Sequence, residues 1–371
     1  MEIYGIGTAV PEHSISQMDS AVIARDCIEV PADKIRIFDE IYRRSGVKKR
    51  HSVVLDASEG PLETRQSFYQ ENRTTAERMK LYESHAGPLA LAGARKALEN
   101  SQIEPSAITH IVSVSCTGFY SPGFDIALIK GLSLNSGVAR THIGFMGCQG
   151  AMNALRVAHG FVASSPKTRV LLCATELCSI HQYAHWDAEK IVANALFADG
   201  SASVVLGSSR RELNSSGRLR MIGSGATLIN DSLDAMSWKI ADHGFEMTLS
   251  SSVPQLIAAS IRPWMEQWLS QFGLNLGDIG SWAVHPGGPR ILSAFAEAME
   301  IPKTALDHSF ATLASYGNIS SATVLFIMNS IMEAGPGPGF MVAVAFGPGL
   351  TVEAALFEIQ DFPTKSTSSF V

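Results

Sequence analysis

The residue in this 371-residue chain best placed to do chemistry is Cys148, in the stretch THIGFMGCQGAMNALRVAHGFVASS, residues 141–165. An apolar run with glycines at Gly144 and Gly147 delivers the cysteine to a turn. After it Ala151, Ala154, Leu155, Ala158 and Phe161 recur at helical spacing. Cys148 is therefore expected where a strand or loop becomes a helix N-terminus. The unpaired N–H groups and positive dipole end found there lower a thiol's pKa and favour a nucleophilic thiolate. Cysteine is also among the residue types most often buried as plain packing, so the rest of the chain must decide between the two.

The elements that would position it follow in order. Residues 2–10 read as a strand ended by Pro11, and an apolar stripe predicts a helix over 17–45. That helix closes on the basic group Arg43, Arg44, Lys48, Lys49 and Arg50, a solvated face or a seat for a phosphate-bearing ligand. Residues 52–72 read as loop, and a long helix rich in Ala and Leu starts near Thr75, with Pro88 expected to kink or split it. The strand ITHIVSVSC, a loop, the helix DIALIKGLSL, the Cys148 helix and the buried strand TRVLLCATE come next. A loop and helix over 179–198 lead into the strand ADGSASVVLGSS.

The second half repeats this grammar. Ile108 and Ile279 stand 171 residues apart, Cys148 and Asn318 170, and Leu172 and Val342 170, each pair at the same place in its run of elements. Constant spacing across three matches points to an internal duplication, with halves 1–212 and 213–371 meeting in the polar link 209–219. Duplicated mixed halves with buried strands predict two sheets sandwiched among helices and related by a pseudo-twofold axis. Cys148 and Asn318 then occupy equivalent turns facing that axis, and His285, in AVHPGGPR, lies at a strand end in the matching layer. The tail, residues 364–371, is expected to be disordered.

Composition narrows the function classes. With 46% hydrophobic and 17% charged residues the chain reads as a well-buried globular protein. A formal charge of −6, with scattered lysines and arginines, argues against a nucleic-acid partner. The start lacks a basic segment followed by an apolar core, so no signal peptide is expected, and no apolar run approaches the ~20 residues that span a bilayer. Five cysteines without CxxC pairs point to free thiols in a reducing cytoplasm and to no bound metal.

Five separated motifs, FMGCQGAMNALRVA, ALFADGSASVVLG, AVHPGGPRIL, SYGNISSATVLF and AFGPGLTVEAALFE, together resemble the chalcone synthase-like family, the type III polyketide synthases, in microbial style. The likeness runs from about residue 2 to residue 358. It implies an α/β protein with the five-layered αβαβα thiolase fold, a homodimer, and iterative condensation of malonyl-CoA on an acyl-CoA starter. The product is a pyrone, resorcinol or related aromatic polyketide, made with no cofactor besides the CoA thioesters. By the resemblance Cys148, His285 and Asn318 match the catalytic triad, and Phe197 matches a gatekeeper at the pocket mouth. The AFGPG turn, Ala345 to Gly349, reads as a scaffold for the cavity floor, since no lysine follows it as in a phosphate loop.

Several positions depart from the plant members. Met247 stands where a second gatekeeper phenylalanine is usual, giving a softer wall. Cys116 replaces a threonine that, with the positions of Glu176 and Ser320, forms a hydrogen-bonded network steering ring closure in some relatives. His181 and Trp238 fall where plant enzymes carry smaller residues, which favours a fatty or small aliphatic starter over a coumaroyl one. For CoA phosphates Arg44 and Lys48 align with the family's basic residues, and Arg290 is a further candidate by its guanidinium. The alternatives are a carrier-protein-dependent 3-ketoacyl synthase, which typically lacks PGGPR after the histidine, a cysteine hydrolase, and a non-catalytic subunit of a condensing complex.

Overall fold

The computed structural model describes residues 1–208 and 219–360; the 212/213 boundary and the tail 364–371 lie outside the described residues. In chain order the elements are β1 (Glu2–Ala9), β2 (Ser14–Ser16), α1 (Gln17–Cys27), α2 (Ile35–Arg44), β3 (Lys49–His51), α3 (Thr75–Ser101), β4 (His110–Ser115), α4 (Phe124–Gly131), β5 (Ala139–Gly144), α5 (Gly150–Ser164), β6 (Arg169–Leu177), α6 (Ala188–Leu196) and β7 (Asp199–Gly207). The second half holds β8 (Leu219–Leu228), β9 (Met236–Ala241), β10 (Gly244–Leu249), α7 (Val253–Ser270), β11 (Ile279–Val284), α8 (Pro289–Met299), α9 (Asp307–Tyr316), α10 (Thr323–Glu333), β12 (Gly339–Gly347) and β13 (Thr351–Ile359).

Two expectations change. The helix read over 17–45 is two helices, because Pro31 fixes its own φ and pushes the residue before it to extended backbone. Conversely α3 runs unbroken through Pro88. Its start is secured by a capping box between Thr74 and Glu77, and its small residues Ala86, Ala90, Gly93, Ala94 and Ala97 are buried. The helix lies so close on β1 that a Cβ on Gly5 would sit 2.5 Å from the Ser101 nitrogen. Packing of that whole face outweighs the one backbone hydrogen bond that Pro88 cannot make.

The duplication is visible in the strands. Among the described residues one nine-stranded sheet runs β11-β12-β13-β8-β1-β7-β6-β4-β5. The two expected sheets are joined edge to edge by a short β1–β8 pairing, Glu2 with Arg220 and Ile3 with Leu219. On either side of that seam the grammar is the same. β4 and β6 are parallel with β7 and β1 antiparallel beyond them, and β11 and β12 are parallel with β13 and β8 beyond. Val112 pairs with Leu172 as Trp282 pairs with Val342, so the 170-residue offset holds in the register itself.

Alternation along the strands sorts side chains into layers. Val112, Val170 and Leu172 of one half and Met341 and Ala343 of the other pack on α5 and α10 in the middle. Ile111, Leu171 and Cys173 face outward onto α3 and α4. Val284, Val342 and Val344 face outward onto α7 and α8. The stack is thus helix, sheet, helix, sheet, helix. Each fully buried Val, Leu or Ile contributes roughly 1.5–3 kcal/mol, so the buried apolar faces of the central helices hold them between the sheets. The turns preceding them are held accordingly.

Candidate active site

Cys148 lies two residues before α5, as its spacing suggested, in a turn that needs glycine at the residue before it. Gly147 has φ 92°, and a Cβ there would run into Pro348 of the Ala345–Gly349 turn. The turn is stitched to the loop after β4: the Gly147 N–H donates to Cys116 Sγ at 3.0 Å and the Cys116 thiol donates to Gly147 O at 3.3 Å. Cys148 is buried, and its Sγ lies 3.7 Å from Ser320 Oγ. The expected lowering of its pKa is overturned. Burial pushes the thiol up to about 12, with the Glu176 charge adding to the rise, while Ser320 and Asn318 pull against it. Desolvation outweighs the helix dipole, because the dipole attracts a thiolate but the cavity wall keeps water from it.

Asn318 sits in the equivalent turn of the other half. Gly317 has φ 74°, and the Asn318 N–H donates to Leu196 O at 2.8 Å while its carbonyl accepts from the Ala198 N–H at 2.9 Å. These two bonds form a parallel bridge that straps Phe197 to Asn318. Arg50 secures the strap from behind, donating from Nη1 to Phe197 O at 2.9 Å and to Asn194 O. The Asn318 side-chain oxygen accepts the Ser320 N–H at 2.8 Å, which leaves its amide nitrogen for the Cys148 sulfur. His285 follows β11, its N–H bonded to Val344 O at 2.8 Å. It is 1% exposed, and neither ring nitrogen has a hydrogen-bond partner among the described residues. Burial drives its pKa down to about 3, so the ring is neutral.

Cys148, Ser320, Cys116, Phe197 and Met247 line one cavity with about 1000 Å³ of atom-free space, part of it open to solvent. His285 and Asn318 are buried and are not among its lining residues. The β9–β10 hairpin, which sequence periodicity had not revealed, supplies Trp238, Phe245 and Met247, with Trp238 and Met247 paired across it. His181 holds the hairpin in place: its Nε2–H donates to Thr117 O at 2.7 Å, its Nδ1 accepts the Phe245 N–H at 2.9 Å, and its ring stacks on Phe245 at 4.2 Å. The Trp238 indole donates to Cys116 O at 2.8 Å. Ile15, Ile23 and Leu55 also line the cavity, together with polar residues such as Ser20, Arg50 and Ser52.

Glu176 is buried and is not among the cavity's lining residues. Its carboxylate accepts from the Cys116 N–H at 2.9 Å, from Thr117 Oγ1 at 2.7 Å, and from the hydroxyls of Ser115 and Ser321. The network that these positions form in some relatives is closed here on different atoms. The Cys116 backbone replaces its side chain, and Ser321 replaces Ser320. Two adjacent serines in SYGNISSAT look alike in sequence, and only the turn decides which faces Glu176.

A second groove is lined by Arg44 and Arg290, with Arg36, Gly287 and Gly288. Arg44 is already engaged by Glu40, which also takes a bidentate pair from Arg43 at 2.6 and 2.7 Å. Arg290 and Arg36 are exposed, and neither has an ion-pair partner among the described residues. Lys48 is exposed and not among the groove's lining residues. Sequence reasoning placed Arg50 in the same basic cluster, yet it is buried. Alternation along β3, with Lys49 out and Arg50 in, is the signal, but a three-residue strand hides it. All five cysteines are free. Among the described residues no cluster of three or more His, Cys, Asp or Glu is placed to hold a metal, and no helix is long and apolar enough to cross a membrane.

Residues 1–210 match the family model for chalcone and stilbene synthases, N-terminal domain, and residues 221–360 that for the C-terminal domain. Among curated proteins the chain is 32% identical over 362 residues to the alpha-pyrone synthesis polyketide synthase-like Pks18 of Mycobacterium tuberculosis (strain H37Rv), a match covering 96% of this chain and 91% of the relative. Among solved structures it is similar to PKS-I of the brown alga Ectocarpus siliculosus, with TM-score 0.89 and 30% identity over 96% of this chain and 98% of that one. It is also similar to the 1,3,6,8-tetrahydroxynaphthalene synthase of Streptomyces coelicolor A3(2), a bacterial type III polyketide synthase, with TM-score 0.86 and 28% identity over 97% and 100% of the two chains.

Proposed function

The chain belongs to the chalcone and stilbene synthase family and is a type III polyketide synthase of the thiolase fold, and we propose the following division of labour among its residues. The enzyme condenses malonyl-CoA repeatedly onto an acyl-CoA starter and cyclises the product. Cys148 is the nucleophile. Its proton passes to His285 Nε2 as the sulfur attacks the starter thioester; the new C–S bond forms, the bond to CoA breaks, and the CoA sulfur leaves with that proton. Malonyl-CoA then loses carbon dioxide, and the electron pair of the broken C–C bond moves onto the thioester oxygen. Neither His285 nitrogen is fixed by a partner, so the neutral ring changes tautomer between the two steps: for decarboxylation it carries its proton on Nε2, and that N–H and the Asn318 amide donate to the enolate oxygen. The enolate carbon attacks the acyl-Cys148 carbonyl, releasing the cysteine and lengthening the chain by two carbons.

The observation that carries this reading is the turn pair itself: Cys148 opens on a cavity whose wall holds Phe197, and Phe197 is strapped to Asn318. The two unpartnered nitrogens of buried His285 support it, since an idle polar group in a core is the exception. A low pKa suits the donor role, because a neutral imidazole keeps its N–H for the enolate. Phe197 and Met247 shape the mouth and exclude water, favouring decarboxylation over hydrolysis. The bulk of His181, Trp238 and Phe245 in the cavity, with Ile15, Ile23 and Leu55 among its lining, supports an aliphatic starter, and the alpha-pyrone relative supports a pyrone product. Arg290 and Arg44 are assigned to CoA phosphates, with Arg36 added and Lys48 set aside. The active protein is read as a cytoplasmic homodimer that takes acyl-CoA and malonyl-CoA and needs no metal.

Carbon-labelled malonyl-CoA with a panel of acyl-CoA starters, read by mass spectrometry beside Cys148→Ala, tests the assignment. Wild type should give labelled pyrones or resorcinols without carrier protein, and the variant should lose at least about 10⁴-fold in turnover. Product formed only when malonyl groups arrive on carrier protein would move the chain to the fatty-acid-type synthases.

A further inference from the structure

We infer that Ser320 is a further residue of the acyl-transfer site, its hydroxyl being the hydrogen-bond partner that fixes the Cys148 sulfur and stabilises the thiolate. This rests on the reading of Cys148 as the nucleophile. Three observations on different atoms carry it. Ser320 Oγ lies 3.7 Å from Cys148 Sγ, within reach for a hydrogen bond to sulfur. Ser320 is buried, and it lines the same cavity as the cysteine, so its hydroxyl and the sulfur share one space. Its backbone has φ 45°, a left-handed conformation that a residue with a side chain adopts at a cost and that clusters at functional sites.

The strain has an identifiable cause. The Ser320 N–H is held by the Asn318 side-chain oxygen at 2.8 Å, and its carbonyl accepts from Thr323 Oγ1 at 3.0 Å. The turn is clamped at both ends, and the clamp aims the Oγ at the sulfur. Asn318 thus does two things with one amide: its oxygen fixes Ser320, and its nitrogen is left for the sulfur and the enolate. Ser321, one residue on, is directed the other way, to Glu176. Serine hydroxyls are donors that rotate to suit. This one donates to the thiolate and, once the sulfur is acylated, loses that anionic acceptor. The hydroxyl therefore lowers the cost of forming the thiolate without stabilising the thioester that follows it.

Alkylation of Cys148 by iodoacetamide across pH, with the modified residue mapped by mass spectrometry, tests the proposal on the full chain. The titratable groups near the sulfur are Glu176, Cys116 and Cys178, with His285 assigned to it above. They are unchanged in the variants, so the profile isolates Ser320. Ser320→Ala should shift the alkylation midpoint up by about one pH unit, an approximately tenfold slower reaction at fixed pH below it. Ser320→Gly removes the hydroxyl and relieves the left-handed strain, and it should show the same shift with an undiminished thermal midpoint. A profile like wild type in Ser320→Gly, with a shift in Ser320→Ala alone, would make the residue a turn former and overturn the proposal. Unchanged profiles in both would overturn it as well. Acyl-CoA that labels Cys148→Ala on another residue would instead defeat the nucleophile assignment, whatever the Ser320 profiles show.

Discussion

Two turns 170 residues apart do opposite things with the same backbone plan. Gly147 and Gly317 both take positive φ, at 92° and 74°, and each delivers the next residue, Cys148 or Asn318, to the start of a central helical segment. In the first half the chain then passes directly into α5 at Gly150. In the second the equivalent residue is Ser320, whose left-handed φ inserts a short turn before α10 begins at Thr323. A similar divergence marks the strand ends. Ser115 closes β4 and is fully engaged, accepting from the Tyr82 hydroxyl at 2.6 Å and donating to Glu176. One residue after β11, at the same offset, stands His285 with both ring nitrogens idle. Duplicated halves supply the frame twice, and function appears where one copy leaves a buried polar group unsatisfied.

The sharpest way to break that comparison is to delete the polar groups at both offsets. His285→Ala and Asn318→Ala should each reduce malonyl-CoA decarboxylation by about 10²–10³-fold, the usual loss for one oxyanion donor. Acyl loading onto Cys148, followed by intact mass, should survive in Asn318→Ala. Ser115→Ala should lower stability by about 1 kcal/mol and leave turnover near wild type. Equal losses at Ser115 and His285 would remove the asymmetry.

The two glycines come next. A Cβ on Gly317 would sit 2.9 Å from Leu196 O, and one on Gly147 would strike Pro348. Gly317→Ala and Gly147→Ala should each cost roughly 2–5 kcal/mol by denaturant titration, from left-handed strain plus overpacking. Both contacts cross to the other half, but Gly147 meets Pro348 whereas Gly317 meets Leu196 within the Phe197 strap, so only Gly317→Ala should also release Phe197. That would appear as more starter hydrolysis per product formed.

Burial gives the second half a pH signature that Ser115 cannot have. His285 falls from 6.5 to about 3 on folding. The unfolded chain therefore binds the extra proton between these values, and the stability tied to neutral His285 is complete above about 6.5 and lost as pH falls toward 3. His181, with the same direction and a pKa of about 3, adds a parallel slope. His285→Gln should flatten the acid limb of stability against pH without touching the neutral plateau, and an unchanged slope would show that the imidazole is not desolvated in solution.

Much of this was legible before any coordinates. The turns at Cys148 and Asn318 follow from residue types at constant spacing, because a duplicated frame repeats its period in sequence, and the strand-end His285 from its AVHPGGPR context. The thiol's pKa was not legible: a helix start is written locally, whereas burial at Cys148 is the sum of elements from both halves. The same holds for Pro88, overridden by close packing of α3 on β1, and for the Ser320 and Ser321 pair, distinguished only by one backbone dihedral. Arg44 shows a further limit. Its positive charge is evident in sequence, but its engagement by Glu40 one helical turn earlier competes with any phosphate.

The smallest expected effect sharpens the comparison at the far end of the same helices. Gly160, in α5, is exposed and a Cβ there would meet nothing within 4 Å, whereas its counterpart in α10, Ser330, bonds His308 Nδ1 at 2.9 Å. Glycine inside a helix forfeits backbone entropy that alanine does not, so Gly160→Ala should stabilise the protein by roughly 0.5–1 kcal/mol and leave turnover unchanged. A loss of stability would mean instead that another surface closes over α5 there, and the symmetric treatment of the two central helices would end at their first turns.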